Sequence, residues 1–169
     1  MDVPLAKFLV WPPFYTLQPN LDTQNQQLSL WSQVILDYAK NNKIYVATIE
    51  SFDRVTRNSE LNRFLSEEFK DMLFKHMKKQ KFIIAEGLSM LIFWQKPETW
   101  AEMIYRWASN SGRIGTVETV EGLVSGDETT SEEFYGMPVN YAIEVLKTLQ
   151  KSKKAEMFAV GDSYAVKFF

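Results

Sequence analysis

Residues Ser66–Trp94 read SEEFKDMLFKHMKKQKFIIAEGLSMLIFW, and the order of signals in this stretch decides the fold. Ser66 stands where a helix needs a cap, Glu67 and Glu68 fill the first turn, and Lys78 and Lys79 fill the last. That is the charge order a helix dipole favours. Phe69, Met72, Leu73, His76 and Met77 recur at three-four spacing and give the helix one apolar face. Two β-rich runs follow, Lys81–Ala85 and Met90–Trp94, separated by Glu86-Gly87-Leu88-Ser89. A short connection containing Gly between such runs predicts a hairpin.

Upstream, Leu21–Asn41 predicts a long helix, capped by Asp22 or Thr23, with Leu28, Trp31, Val34, Ile35 and Tyr38 as its stripe. Ile44–Ile49 reads as a strand, Phe52–Asn58 as loop, and Leu61–Leu65 as a short helical turn. Downstream the same order recurs. Pro97 opens a helix over Glu98–Ser109, with Trp100, Met103, Ile104 and Trp107 on one face. A break at Asn110–Gly115, a strand at Thr116–Thr119 and a short helix at Val120–Ser125 follow. After an acidic loop, Gly126–Gly136, Pro138–Lys151 is a helix. Ala155–Val160 and Tyr164–Phe169 close as a second hairpin around Gly161-Asp162-Ser163.

Helix, strand, short helix, longer helix, hairpin, twice over, is the order of a winged helix. The expected fold class is therefore α+β, mainly helical: two tandem winged-helix domains, 21–95 and 97–169, behind an extended N-terminal arm, 1–20.

Composition narrows the chemistry. The 169 residues include no Cys and one His, His76, which removes disulfides, thiol nucleophiles and multi-histidine metal sites. No Gly-rich phosphate loop is present. Gly161-Asp162-Ser163 reads as a turn, not a nucleophile block, and Asp127, Glu128, Glu132 and Glu133 lack the alternation of a calcium loop. His76 reads as a partly buried, hydrogen-bonded core residue. The expectation is a chain that is not an enzyme and takes no cofactor or metal. No run is long enough for a membrane span and the N-terminus has no signal pattern, so the expected location is cytoplasmic.

A winged helix most often reads DNA, which requires basic side chains for the phosphates. Residues 1–96 hold 12 basic and 10 acidic side chains, net +2, whereas 97–169 hold 7 and 11, net −4. Lysines at helix ends serve the dipole as readily as a phosphate. Protein partners are the expectation, and a tandem winged-helix nucleic-acid binder is the alternative.

The arm carries the sharpest signal, Trp11-Pro12-Pro13-Phe14-Tyr15, a Pro-Pro-x-Tyr motif crowded with rings. Its residues admit three readings: a ligand for WW-type domains, an aromatic hook inserted into a partner subunit, or a strap folded back on the chain's own first helix. The rings speak against a freely exposed ligand.

The longer block Trp11–Asn20, with Asp22-Thr23-Gln24 and Trp31, resembles the N-terminus of the vacuolar protein sorting subunit twenty-five family, the small two-copy subunits of ESCRT-II. The blocks Trp94, Pro97, Trp100, Ile104-Tyr105-Arg106-Trp107 and Ser111-Gly112 agree. So do Gly126-Asp127-Glu128-Thr129, Glu133-Phe134 and Val166-Lys167-Phe168-Phe169. The resemblance implies tandem winged helices and a non-catalytic role in a Y-shaped complex, with one copy on each of the two larger ESCRT-II subunits. It implies that Pro12, Pro13, Phe14 and Tyr15 dock those subunits, with rings presented outward. Pro4-Leu5 lacks the pattern of a second motif. It further implies that the second domain engages the ESCRT-III subunit vacuolar protein sorting twenty, with the complex recruited peripherally to endosomes to sort ubiquitinated receptors into multivesicular bodies.

Overall fold

The computed structural model describes residues 6–169, so the part of the expected arm over residues 1–5 lies outside the described residues. The chain divides into two compact units of mixed helix and sheet, with the boundary between Trp94 and Gln95.

In the first unit, α1 (Ala6–Leu9) and a 3-10 turn (Pro12–Tyr15) precede the long α2 (Leu21–Asn41). The predicted bounds of α2 hold, but its cap is Asn20, whose side chain accepts from the Thr23 amide, and not Asp22 or Thr23. Leu28, Trp31, Val34 and Ile35 are buried on its stripe. The strand expected over Ile44–Ile49 shrinks to β1 (Val46–Ala47), because a 3-10 turn (Ile49–Phe52) takes over to sink Phe52 into the core.

Phe52–Asn58 and Leu61–Leu65 are also corrected. Neither a plain loop nor a helical turn forms, but a small hairpin of β2 (Arg57–Asn58) and β3 (Arg63–Phe64). Asn62 at its turn has φ of 48°, a left-handed conformation Asn tolerates, and the Leu65 amide donates to the Thr56 carbonyl to extend the pairing. Leu65, buried in the first unit's core, draws the segment inward.

Helix α3 (Glu67–Lys79) begins on Ser66, whose hydroxyl accepts from the Phe69 amide. Phe69, Leu73 and Met77 are buried, Met72 and His76 half-buried, and Phe74 adds a buried ring outside the expected stripe. Strands β4 (Ile83–Glu86) and β5 (Ser89–Ile92) pair from Ile83–Ile92 to Glu86–Ser89, leaving Gly87 and Leu88 as a two-residue turn. Gly87 has φ of 58°, as the first position of such a turn requires. The sheet order is β1-β5-β4, all antiparallel.

The second unit runs α4 (Pro97–Asn110), β6 (Val117–Thr119), α5 (Val120–Ser125), α6 (Val139–Lys151), β7 (Ala155–Val160) and β8 (Ser163–Phe168). Its sheet order is β6-β8-β7, and Gly161 and Asp162 form the turn between β7 and β8. Trp100, Ile104, Tyr141, Leu146 and Phe168 lie in its core. The acidic segment Gly126–Gly136 is largely exposed, as a solvated loop, but two of its residues anchor it. Phe134 and Thr129 are buried, a 3-10 turn (Asp127–Thr129) opens it, and the Gly136 amide donates to the Val124 carbonyl at 2.7 Å. Phe134 meets Trp107 edge-on at 6.2 Å, and that burial pins the loop.

Candidate functional site

The proline-aromatic segment is helical where an extended arm was expected. A proline φ near −65° suits both a left-handed extended chain and the first turn of a helix, so two prolines leave the choice to whatever follows. Here Phe14 and Tyr15 decide it by burying, at 2% and 4% exposure. The rings that sequence reading turned outward to a partner therefore lie against their own chain. Of the three readings of the motif, the residues adopt the strap.

The strap is held by specific contacts. Phe14 stacks on Trp31, Tyr15 meets the same indole edge-on at 5.3 Å, and Phe8 packs on Phe14 at 5.4 Å. The Trp31 indole N–H donates to the Phe14 carbonyl at 2.9 Å, and the Gln27 amide donates to the carbonyls of Phe14 at 3.0 Å and Thr16 at 2.8 Å. Gln27 also accepts from the Gln18 amide at 3.2 Å. One buried glutamine thus accepts from the Gln18 amide and gives a second donor to the Phe14 carbonyl, shared with Trp31, and to the Thr16 carbonyl, shared with the Gln18 side chain. Sequence reading passed over Gln27. The signal available was its place four residues before Trp31, on the apolar face where a polar side chain needs a reason.

The second anchor comes from the β2–β3 hairpin, which packs against the Pro12–Tyr15 turn. The Leu9 carbonyl accepts from both the Tyr15 hydroxyl and the Asn58 side-chain amide at 3.0 Å. Burial pushes the Tyr15 hydroxyl above its ordinary value, with the Asn58 hydrogen bond opposing.

What the strap presents is its other side. Pro12 and Pro13 are exposed, and Val10 and Trp11 are 65% and 55% exposed. The hairpin adds Phe64, 60% exposed, with the Arg57 guanidinium 5.8 Å above its ring. Three of these residues, Val10, Trp11 and Phe64, are exposed large apolar groups, the first two on a backbone ordered from beneath. The structure therefore splits the predicted site: Pro12 and Pro13 face out, while Phe14 and Tyr15 face in. Phe64 was missed because a helical turn was expected there.

In the second unit, Met103, Arg106, Trp107, Glu132 and Glu133 line a cavity of about 270 Å³ between α4 and the acidic segment. Arg113 pairs with Glu118 at 3.2 Å and with Glu128, so part of the acidic charge is already neutralised, while Glu132 and Glu133 stay at the cavity. Among the described residues no group of three or more His, Asp or Glu side chains is placed to hold a metal, and no helix is long and apolar enough to cross a membrane.

The family model described as ESCRT-II complex subunit matches residues 8–138. Vacuolar protein-sorting-associated protein 25 of Xenopus laevis is 36% identical over 164 residues, covering 94% of this chain and 94% of that relative. The crystal structure of subunit VPS25 of the endosomal trafficking complex ESCRT-II matches with a TM-score of 0.84 at 27% identity, covering 99% of this chain and 98% of that one. A chain of the endosomal complex ESCRT-II (VPS22/VPS25/VPS36) matches with a TM-score of 0.80 at 27% identity, covering 98% of each. Sequence and fold agree over nearly the whole length, and the chain belongs to the ESCRT-II complex subunit family.

Proposed function

We propose that this chain is a non-catalytic, two-copy subunit of an ESCRT-II assembly, built of two winged helices, that docks each larger subunit through the outer face of its strap. Element order and the β1-β5-β4 and β6-β8-β7 sheets support the winged-helix reading. The observation that carries the docking reading is Trp11: a tryptophan 55% exposed on a turn whose backbone is locked from below by Trp31 and Gln27. An ordered aromatic anchor loses little entropy on binding, and Trp is the residue most often found at the energetic centre of an interface. Pro12 and Pro13 form the presented edge, and Phe14 and Tyr15 act as the internal footing that holds it. VPS22 and VPS36, named beside VPS25 in the solved complex, identify the kind of partner.

The second unit serves as the arm that recruits the ESCRT-III subunit vacuolar protein sorting twenty, so that the complex, held peripherally on endosomes, sorts ubiquitinated cargo into multivesicular bodies. Its net charge of −4 over 97–169 and the Glu132 and Glu133 carboxylates, which outnumber the one cation at the cavity, Arg106, suit a basic partner segment.

The test is co-purification of the full chain with the two larger subunits on size-exclusion chromatography. Trp11→Ala with Pro12→Ala is expected to lose the larger subunits while keeping the wild-type melting temperature. An intact complex of unchanged stoichiometry would remove the strap from the interface.

A further inference from the structure

The face of the β4–β5 hairpin that meets α3 carries Ile83, Ala85 and Met90. Ile83 and Met90 are buried, but Ala85, nearer the hairpin turn, is exposed and too small to reach the helix. The space it leaves is a groove of about 250 Å³, with Phe74 of α3 on its inner wall. At the open end stands Leu88, 100% exposed. Gly87 alone supplies the backbone conformation this turn needs, so nothing in the turn asks for leucine beside it. Along the helical wall Lys75 and Lys78 lie one turn apart, both exposed and in none of the ion pairs among the described residues, with Asp71 as the one carboxylate lining the groove.

We propose that this groove docks an acidic amphipathic peptide segment of another protein, at a surface separate from the strap. Apolar side chains at three-four spacing would lie over Ala85 and under Leu88, and carboxylates on the flank of the same segment would meet Lys75 and Lys78. The charge balance at the rim, two free cations against one anion, sets the sign of the partner. The groove occupies the place, between the longer helix and the hairpin, where a winged helix would meet duplex DNA. The apolar floor and the bare leucine argue against that partner: a phosphate surface gives an apolar groove nothing to bury, and Asp71 repels it.

The experiment pans a phage library of random 16-residue peptides against the full chain and measures the enriched peptides, synthesised with a fluorescent label, by anisotropy. Enriched sequences are expected to combine apolar residues at three-four spacing with Asp or Glu. Ala85→Phe, which fills the groove, and Lys75→Glu with Lys78→Glu, which reverses its rim, are each expected to weaken them at least tenfold, and Leu88→Ser to weaken them as well. All four positions are exposed, so the variants should keep the wild-type melting temperature, and that is measured alongside. No enrichment, basic peptides, or peptides that bind the variants as well as the wild type would overturn the proposal. So would tight binding of a 20-base-pair duplex that falls steeply with salt and is lost in the same variants.

Discussion

The ring of Phe14 lies parallel to the indole of Trp31, 6° apart in plane and 4.6 Å between centroids, while the Trp31 N–H donates to the Phe14 carbonyl. One side chain of α2 thereby holds both the ring and the backbone of a residue 17 positions earlier. A segment with the composition of a loose recognition tail becomes part of the first unit's core.

Phe14→Ala should consequently behave as a core truncation. Removing a buried ring of this kind costs about 3 kcal/mol or more, read as a lower urea midpoint with an unchanged slope. A midpoint within error of wild type would show that the strap is not integral to the unit.

Trp11→Ala should do the reverse. Its side chain is largely exposed, so stability should change by less than about 0.5 kcal/mol, while affinity for the larger subunits should drop by about 2 kcal/mol. Calorimetric titration of the variant against the purified larger subunits makes the comparison.

Gln27→Leu keeps most of the volume but removes the acceptor of the Gln18 amide and one of the two donors at each of the Phe14 and Thr16 carbonyls. The expected cost is about 1–3 kcal/mol. Faster amide exchange at residues 14–18 should accompany it, and unchanged protection there would deny Gln27 its role.

His76 on α3 is held below its ordinary value of 6.5, first by burial and then by the Lys79 charge one turn on. The unfolded chain therefore takes up a proton at higher pH than the folded one. Stability should be complete above the unfolded value, decline as pH falls through it, and level off below the folded value. His76→Gln should flatten that part of the curve between pH 7 and 5 in thermal melts, and an unaltered slope would remove His76 as its source.

If the second unit takes the proposed ESCRT-III partner, reversal of Glu132 and Glu133 to lysine should slow that association and reduce the salt dependence of its on-rate, with a smaller change in off-rate. Stopped-flow mixing at two ionic strengths measures both. Equal rates for the two proteins would place the partner elsewhere on that unit.

Read alone, the sequence determined the elements whose causes are local. The bounds of α2, the Ser66 cap of α3, the span of α5 and both terminal hairpins follow from periodicity, capping groups and glycines at turns. It also singled out Trp11-Pro12-Pro13-Phe14-Tyr15 as a segment too rich in rings to be a plain linker. Tertiary structure alone decided which way that segment faces. Proline constrains φ but not ψ, and the missing angle was supplied by Trp31 and Gln27, whose ring and amide reward a folded turn over an extended chain. The β2–β3 hairpin was hidden for the same reason: its residues have no strong preference, and the burial of Leu65 in the first unit's core makes the choice for them.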